Sequence, residues 1–278
     1  MNITPELIFT AEKQMASAPS ASAQSAPAAA APAAPASAPH RDDIVERDFT
    51  LDGIDGILWM PGSASAEHPV PLILLGHPSG PGLARMRPRL EGRARAAAGL
   101  GFASVAIEMP GNGTRPRLPE LEGARVELMR ALDAGERPSE DVIDRLVLPL
   151  VDRTVPEWQS VLDAMLALPE IGGPVAYSGG VLAIGIRLAL TEPRIAAAGL
   201  FAGSYVPLSI LDEARRVTIP LHVLLQWDDE GNDRQRSLDV FDAFGSAEKT
   251  LQANLGGHTG VPAHAGEDAG RFFARHLG

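Results

Sequence analysis

The chain has 278 residues, of which 45% are hydrophobic, and a formal net charge of −11 from 35 acidic and 24 basic residues. This length predicts one large domain with a sizeable core and is short for two full domains. The negative charge argues against a nucleic-acid partner, because binding to a phosphate backbone depends on cationic contacts. Since the sequence contains no cysteine, it excludes disulfides, thiolate metal sites and a cysteine nucleophile.

The first 43 residues differ in composition from the remainder of the chain. Residues 1–14 carry a weakly amphipathic pattern that predicts a short helix or a frayed tail, whereas residues 15–43 are rich in Ala, Pro and Ser and predict a linker. Repeated prolines interrupt the apolar run that a signal peptide needs, and no segment reaches the roughly 18 consecutive apolar residues of a membrane helix. We therefore expect a cytoplasmic protein without a membrane partner.

From residue 44 to residue 278, strand-like and helix-like segments alternate, which predicts a single α/β domain. The pattern favours a doubly wound, mostly parallel sheet of about eight strands that begins with an antiparallel N-terminal hairpin. Strands are predicted at 48–51, 56–60, 70–75, 102–108, 174–177, 195–201, 219–225 and 249–253, with helices between most of them. Such sheets bind ligands at the carboxyl ends of their strands, so we expect the functional residues there.

Residues 112–150 are too many for an ordinary connection between a strand and a helix. They contain helix-like segments at 118–134 and 139–150, and the following helix is predicted at 155–168 with Pro156 in its first turn. Long loops of α/β enzymes commonly carry function. We interpret 112–150 as a helical lid insertion that shapes a pocket, and the alternative is a plain surface insertion.

Three short segments follow predicted strands and contain serine, aspartate and histidine in that order. They are 176–180 (AYSGG), 226–229 (QWDD) and 256–258 (GGH). A serine hydroxyl is a weak nucleophile at neutral pH unless an imidazole takes its proton and a carboxylate orients that imidazole. This chain order on a mostly parallel sheet is the order of α/β-type serine hydrolases. The sequence therefore predicts a serine hydrolase that acts on a small ester-like molecule.

Ser178 is the predicted nucleophile. Its AYSGG context is one residue away from the G-x-S-x-G turn, and the small neighbours suit the strained conformation of such a turn. The N–H of Gly179 is then expected to face the developing oxyanion. A second oxyanion donor is expected in the loop of Pro78 and Ser79; because proline lacks an N–H, we assign it to Ser79 or a neighbour. His77, in the same loop, is interpreted as a structural anchor.

Asp229 is the predicted acid and His258 the predicted base. Asp229 is the last residue of QWDD, and Asp228 is the alternative acid. Among seven histidines, His258 alone follows the last predicted strand in a glycine-rich context, which suits a loop that presents an imidazole. Without an H-E-x-x-H set, a calcium loop, a P-loop or a dinucleotide fingerprint, we expect no metal site and no cofactor. The oligomeric state stays open, and a homo-oligomer is among the states that the sequence allows.

Several segments within residues 45–278 resemble the dienelactone-hydrolase-like branch of the α/β-hydrolase superfamily. PLILLGHPSG is similar to the strand and oxyanion loop of that branch, and GFASVAIEMPGNGTRP is similar to its next strand and turn. VPEWQSVLDAMLALPE is similar to the helix before the nucleophile strand, and LLQWDDE and GGH are similar to the acid and base loops. The resemblance implies an α/β-hydrolase fold with an acid at Asp229 and a base at His258.

Two alignments of the nucleophile turn stay open. Counting back from 192–194 puts Ser178 at the nucleophile position, whereas starting from the Gly-Pro-Val before the turn puts Val181 there. Asn112 also stands where the branch carries a histidine. The leading hypothesis is a serine hydrolase that cleaves a small carboxylic ester, thioester or lactone through an acyl-enzyme. The alternatives are a catalytically retired hydrolase fold that binds a small molecule or partner, and a cyclisation or elimination in the same pocket.

Overall fold

The computed structural model describes residues 6–15 and 43–278, so most of the linker predicted at 15–43 lies outside the described residues. The described residues form nine strands and seven helices. In chain order these are β1 Leu7–Met15, β2 Ile44–Leu51, β3 Ile54–Pro61, β4 Val70–Gly76, α1 Leu83–Gly99, β5 Ala103–Ile107, α2 Pro119–Asp133, α3 Glu140–Leu166, β6 Ile171–Gly179, α4 Leu182–Thr191, β7 Ile195–Phe201, α5 Leu208–Ala214, β8 Leu221–Gln226, α6 Arg234–Ala243, β9 Lys249–Asn254 and α7 Ala263–Leu277. Among the described helices, none is both long and apolar enough to cross a membrane.

The strands form one sheet in the order β1-β2-β3-β5-β4-β6-β7-β8-β9. The pairs β1·β2, β2·β3 and β3·β5 are antiparallel, and the remaining pairs, from β5·β4 to β8·β9, are parallel. This arrangement confirms the predicted doubly wound, mostly parallel sheet with an antiparallel start. The described part of the chain has nine strands where about eight were expected.

Two apolar layers cover the two faces of the sheet because successive side chains of a strand point in opposite directions. In β4, Leu72 and Leu74 pack on the face covered by α3 and α4, whereas Ile73 and Leu75 pack on the face covered by α1 and α7. Each buried leucine or isoleucine contributes about 1.5–3 kcal/mol. The continuous apolar run VPLILL is the sequence signature of this burial on both faces.

The described part of residues 1–14 belongs to a strand, Leu7–Met15, instead of the short helix or frayed tail that the sequence predicted. This strand pairs antiparallel with β2 along its whole length. Arg47 of β2 stacks over the ring of Phe9, with the guanidinium carbon 5.5 Å from the ring centroid, and its Nε donates to Glu12 at 2.6 Å. The helix prediction was wrong because ladder bonds and cross-strand contacts outweigh a weak local amphipathic pattern.

The helix predicted at 155–168 is the second half of a longer helix. The 27-residue helix α3 spans Glu140–Leu166, and both Pro149 and Pro156 lie inside it, so Pro156 is not in a first turn. An interior proline removes an N–H and costs about 3 kcal/mol or more. The helix continues across both prolines because one side is buried along its full length, at Val142, Ile143, Val147, Leu150, Val151, Thr154, Val155, Trp158, Val161, Leu162 and Met165.

Candidate active site

A cleft of about 630 Å³ opens at the carboxyl ends of the parallel strands. One wall consists of the loops that follow β4, β5, β6 and β7. The other wall comes from α2 and the start of α3, so the insertion at 112–150 lines the cleft. Its apolar contribution is Leu121, Leu128, Leu146, Val147 and Leu150.

Asp229 and His258 are hydrogen-bonded to each other. Oδ2 of Asp229 lies 2.7 Å from Nδ1 of His258. The carboxylate is buried, and its Oδ1 accepts the N–H of Gly231 at 3.1 Å, which fixes its orientation. The imidazole is half exposed and packs edge-on against Phe201, with ring centroids 5.5 Å apart. The structure thus brings together the two residues that the sequence predicted as acid and base.

Asp228 holds the backbone that carries His258. Its carboxylate accepts the N–H of Gly256 at 2.9 Å and the N–H of Gly257 at 3.0 Å. Gln226 donates from its side chain to the carbonyl of Gly257 at 2.8 Å. The two amide donors, Gly257 first, lower the pKa of the Asp228 carboxyl. The alternative acid therefore contacts the backbone of the base loop, a role that the sequence analysis missed although it flagged the residue.

Ser178 lies inside β6 rather than on the strand-to-helix turn. It pairs with Leu75 of β4 and Gly199 of β7 as an ordinary residue of the parallel ladder. Arg93 of α1 donates to the Ser178 carbonyl at 2.6 Å and to its Oγ at 3.1 Å. No hydrogen bond joins Ser178 to the imidazole of His258 in the described part of the chain. The structure therefore does not assemble the predicted trio, and this geometry gives the nucleophile assignment of Ser178 no support.

Arg93 is a partly buried cation that the sequence analysis did not identify. Besides Ser178 it donates to the carbonyl of Gly76 at 2.8 Å, so it joins the ends of two neighbouring strands. Burial lowers the pKa of this guanidinium to about 10. No motif marks it, since it stands among several arginines of an Ala/Arg-rich helix.

The turn between β6 and α4 consists of Gly180 and Val181. Gly180 has φ +72°, and a Cβ there would lie 2.5 Å from the hydroxyl of Tyr177 and 2.9 Å from the Cα of Gly76, so only glycine fits. Val181 directly precedes the first residue of α4 and lines the cleft. Gly179, the expected oxyanion donor, is the last residue of β6 and is not among the residues that line the cleft. The turn that faces the cleft thus carries an isopropyl group and no hydroxyl.

Ser204 places a hydroxyl beside this turn. It lies in the loop after β7, lines the cleft, and accepts the N–H of Leu182 at 3.1 Å through its Oγ. The next residue, Tyr205, also lines the cleft; burial raises the pKa of its phenol, and the charge of Asp229 raises it further. The sequence analysis missed Ser204. Its position three residues after the end of a parallel strand was the available signal.

Pro78 and Ser79 line the cleft. His77 is buried, and its ring nitrogens lie 3.0 Å and 2.9 Å from the carbonyl oxygens of Pro78 and Ile107, which agrees with a structural anchor. Asn112 also lines the cleft. Its Oδ1 accepts a backbone N–H at 3.3 Å, while its Nδ2 is buried without a partner in the described residues. The amide of Asn112 therefore has a buried donor without a partner in the described residues.

The cleft is cationic although the whole chain carries a net charge of −11. Arg115, Arg117 and Arg125 line it, and no carboxylate side chain does among the described residues. Arg115 is paired with Glu157 through two bonds of 2.8 and 2.5 Å, and Arg125 is paired with Glu122 at 3.0 Å. Arg117 is exposed at the edge of the cleft. In the described residues no group of three His, Asp or Glu side chains is arranged to hold a metal ion.

Comparison with solved structures relates this architecture to esterases. A cold-adapted esterase from an Arctic intertidal metagenomic library is 26% identical with a TM-score of 0.64, over 84% of this chain and 95% of that chain. An esterase of Pyrococcus furiosus is 12% identical with a TM-score of 0.57, over 84% and 92% of the two chains. An acetyl xylan esterase of a Thermoanaerobacterium species is 14% identical with a TM-score of 0.53, over 85% and 84%.

The chain therefore has the α/β-hydrolase fold, and its structural neighbours include esterases and other hydrolases of that type. No family model matches the chain, and no curated protein matches it. The comparisons do not single out the dienelactone-hydrolase-like branch that the sequence motifs resemble.

Proposed function

We propose that this protein hydrolyses a small carboxylic ester, thioester or lactone in the cleft, with His258 as general base and Asp229 as its orienting acid. The observation that carries the proposal is the hydrogen bond of 2.7 Å between Asp229 and His258 beside the strand ends. Esterase neighbours support hydrolysis of an ester bond. The sequence motifs support a place in the dienelactone-hydrolase-like branch, and the substrate we propose is a small molecule rather than a nucleic acid or a membrane.

The hydrogen bond to Asp229 assigns a chemical role to each ring nitrogen of His258. With the carboxylate at Nδ1, the proton of the neutral imidazole stays on that nitrogen, and Nε2 keeps its lone pair for accepting a proton. The buried carboxylate then stabilises the imidazolium that forms. The ring is half exposed, and the proposal requires a substrate to reach its Nε2.

Hydrolysis is tested with purified protein and a panel of p-nitrophenyl esters, thioesters and lactones in water enriched in ¹⁸O. We expect turnover that puts one ¹⁸O atom into the acid product. Consumption of a substrate without ¹⁸O in the product would replace hydrolysis by cyclisation or elimination in the same pocket. A folded protein that turns over no member of the panel and reacts with no fluorophosphonate would contradict the proposal.

A binding function is the second candidate, and the observation that favours it is the turn itself. Val181 lies on the turn before α4, at the position to which one of the two alignments assigns the nucleophile, and it lines the same cleft as three arginines. In this case the protein binds an anionic small molecule or a partner without chemistry. The fluorophosphonate experiment separates the two candidates, because only an activated hydroxyl attacks phosphorus.

A further inference from the structure

The strand-to-helix turn of Gly180 and Val181 carries no hydroxyl, but the neighbouring loop supplies one that bonds the first N–H of α4. Val181 and Ser204 line the same cleft. Ser204 comes from the loop after β7, the strand next to β6, and its Oγ bonds the first backbone N–H of α4, that of Leu182, at 3.1 Å. A serine from the adjacent strand thus lies beside the position that a turn nucleophile would take.

The hydroxyl of Ser204 contacts the N-terminus of α4. The first N–H groups of a helix have no partner within the helix and carry the positive end of its dipole. The N–H of Leu182 therefore stabilises negative charge on the Oγ of Ser204. After Oγ has bonded to a carbonyl carbon, the same N–H is available to the new oxyanion.

The base lies at the same end of β7. Phe201 is the last residue of β7 and contacts the ring of His258, and Ser204 follows three residues later. The acid loop is joined to this segment as well, because Asn232 donates to the carbonyl of Ala202 at 2.7 Å. The loop that carries Ser204 is therefore tied to the loops that carry the base and the acid.

We propose that Ser204 is the catalytic nucleophile, an inference that rests on the proposed ester hydrolysis. The Oγ proton passes to Nε2 of His258 as Oγ bonds to the carbonyl carbon of the ester. The oxyanion collapses, the carbon–oxygen bond to the alcohol breaks, and His258 returns the proton to the departing alcohol. Water repeats the sequence on the acyl group and releases the acid together with the free serine.

Ser178 is the natural comparison. Its Oγ is bonded to the guanidinium of Arg93, and it lies within a strand instead of at the cleft. Ser204, in contrast, lines the cleft and contacts a helix N-terminus. The two serines therefore form a matched pair for experiments.

The first test uses the absence of cysteine from the chain. Ser204→Cys introduces a single thiol whose pKa follows from the pH dependence of its alkylation by iodoacetamide. We expect a pKa below the ordinary value of about 8.5, and a rise towards that value when His258→Ala is added. In the control variant Ser178→Cys, we expect a thiol pKa that His258→Ala leaves unchanged. If the pKa of the Ser204→Cys thiol does not change when His258→Ala is added, the proposal is overturned.

The second test labels the unaltered protein with a fluorophosphonate and maps the adduct by peptide mass spectrometry. We expect the adduct on Ser204 and its loss in His258→Ala. For ester turnover we expect Ser204→Ala to lower kcat by about 10³-fold or more, and Ser178→Ala to change it by less than about 3-fold. If Ser204 only caps α4, Ser204→Ala lowers the melting temperature but keeps kcat, which overturns the proposal.

The outcomes distinguish this inference from the proposed function. Ester turnover that survives Ser204→Ala, or an adduct on Ser178, keeps the hydrolase and overturns the role of Ser204. An adduct on Ser204 without turnover of any ester in the panel supports an activated Ser204 and contradicts the proposed substrates. If a folded protein shows neither adduct nor turnover, both the proposed ester hydrolysis and the role of Ser204 are contradicted.

Discussion

The two ends of the candidate active site differ in how closely they follow their sequence motifs. At the end formed by the loops after β8 and β9, Asp229 and His258 meet at 2.7 Å. At the end formed by β4 and β6, the serine of the motif lies in a strand against Arg93, and Val181 occupies the turn. The carboxylate and the imidazole lie on two loops and are joined by one hydrogen bond. A nucleophile turn needs one residue at one backbone position, so a small shift along the chain removes it.

The largest effect on activity is expected at the end formed by the loops after β8 and β9, which we call the acid–base end. His258→Ala removes the proton acceptor, and we expect kcat/KM for a turned-over ester to fall by at least about 10⁴-fold. Initial-rate kinetics on the purified variant measure this change. His68→Ala is the matched control, because His68 is an exposed histidine in the loop between β3 and β4, and this variant is expected to keep full activity. A His258→Ala protein that keeps its activity would remove the acid–base end from the reaction.

The second prediction asks which aspartate is the acid. Asp229→Asn keeps the shape of the side chain but stabilises the imidazolium poorly, and we expect a decrease in kcat of about 10³-fold. Asp228→Asn is the matched control, since it changes the neighbouring carboxylate that bonds only backbone N–H groups. Stopped-assay kinetics across pH 5–9 compare the two variants. Equal losses in both would mean that the loop, and not the charge of Asp229, limits the rate.

Most of the fold was accessible from the sequence because its strands carry unambiguous patterns. VPLILL and IPLHVLL are buried on both faces, and the helices between them carry apolar stripes. β1 could not be predicted from the sequence, because an edge strand forms only by pairing with its neighbour. Taken alone, Leu7–Met15 has only a weakly amphipathic pattern, and its pairing with β2 makes it a strand. The continuous α3 was hidden for a similar reason, because local rules end a helix at proline while burial in the core continues it.

The candidate site could be predicted from the sequence only in part, because the predicted strand before the nucleophile turn ended too early. The sequence places the last strand residue before the turn at Tyr177, whereas β6 continues to Gly179. Two further strand residues move the turn from Ser178 to Gly180 and Val181. Because side chains alternate in a strand, this also turns the Ser178 hydroxyl towards α1. The predictions of the acid and the base depended less on strand ends, because Asp229 and His258 lie in loops.

The third prediction tests what stabilises the end of the site formed by β4 and β6, which we call the turn end. Arg93→Met leaves the carbonyls of Gly76 and Ser178 without their donor. Bonds from a charged donor contribute about 1.5–3 kcal/mol each, and the cost of burying the cation offsets part of this, so we expect the free energy of unfolding to fall by about 3 kcal/mol. Urea denaturation followed by circular dichroism measures it.

Arg95→Met on the same helix is the control for this prediction. Arg95 pairs with Glu91 one turn away in a partly exposed position, at 2.9 Å, and such pairs contribute about 0.5 kcal/mol. Equal destabilisation by Arg93→Met and Arg95→Met would show that Arg93 contributes no more than a surface pair. The turn end would then owe its shape to its glycines.

The smallest effect is expected from the carboxylate that holds the base loop. The Gly257 and Gly256 amides lower the pKa of Asp228 below its ordinary 3.8. A lowered pKa in the folded state means that this carboxylate stabilises the fold fully above that ordinary value and loses the contribution as the pH falls through the lowered pKa. Asp228→Asn cannot titrate. We therefore expect a small decrease in melting temperature near pH 7 that shrinks towards zero below about pH 3.8.

Thermal unfolding of both proteins between pH 2.5 and pH 7 measures this difference. Asp242→Asn, at a carboxylate for which no bond to a backbone N–H is found in the described residues, is the control and is expected to show no such convergence. A difference that stays constant with pH would mean that Asp228 holds the loop by shape instead of charge. The backbone of the base loop would then be positioned by hydrogen-bond geometry alone, which the neutral amide of Asp228→Asn can also provide.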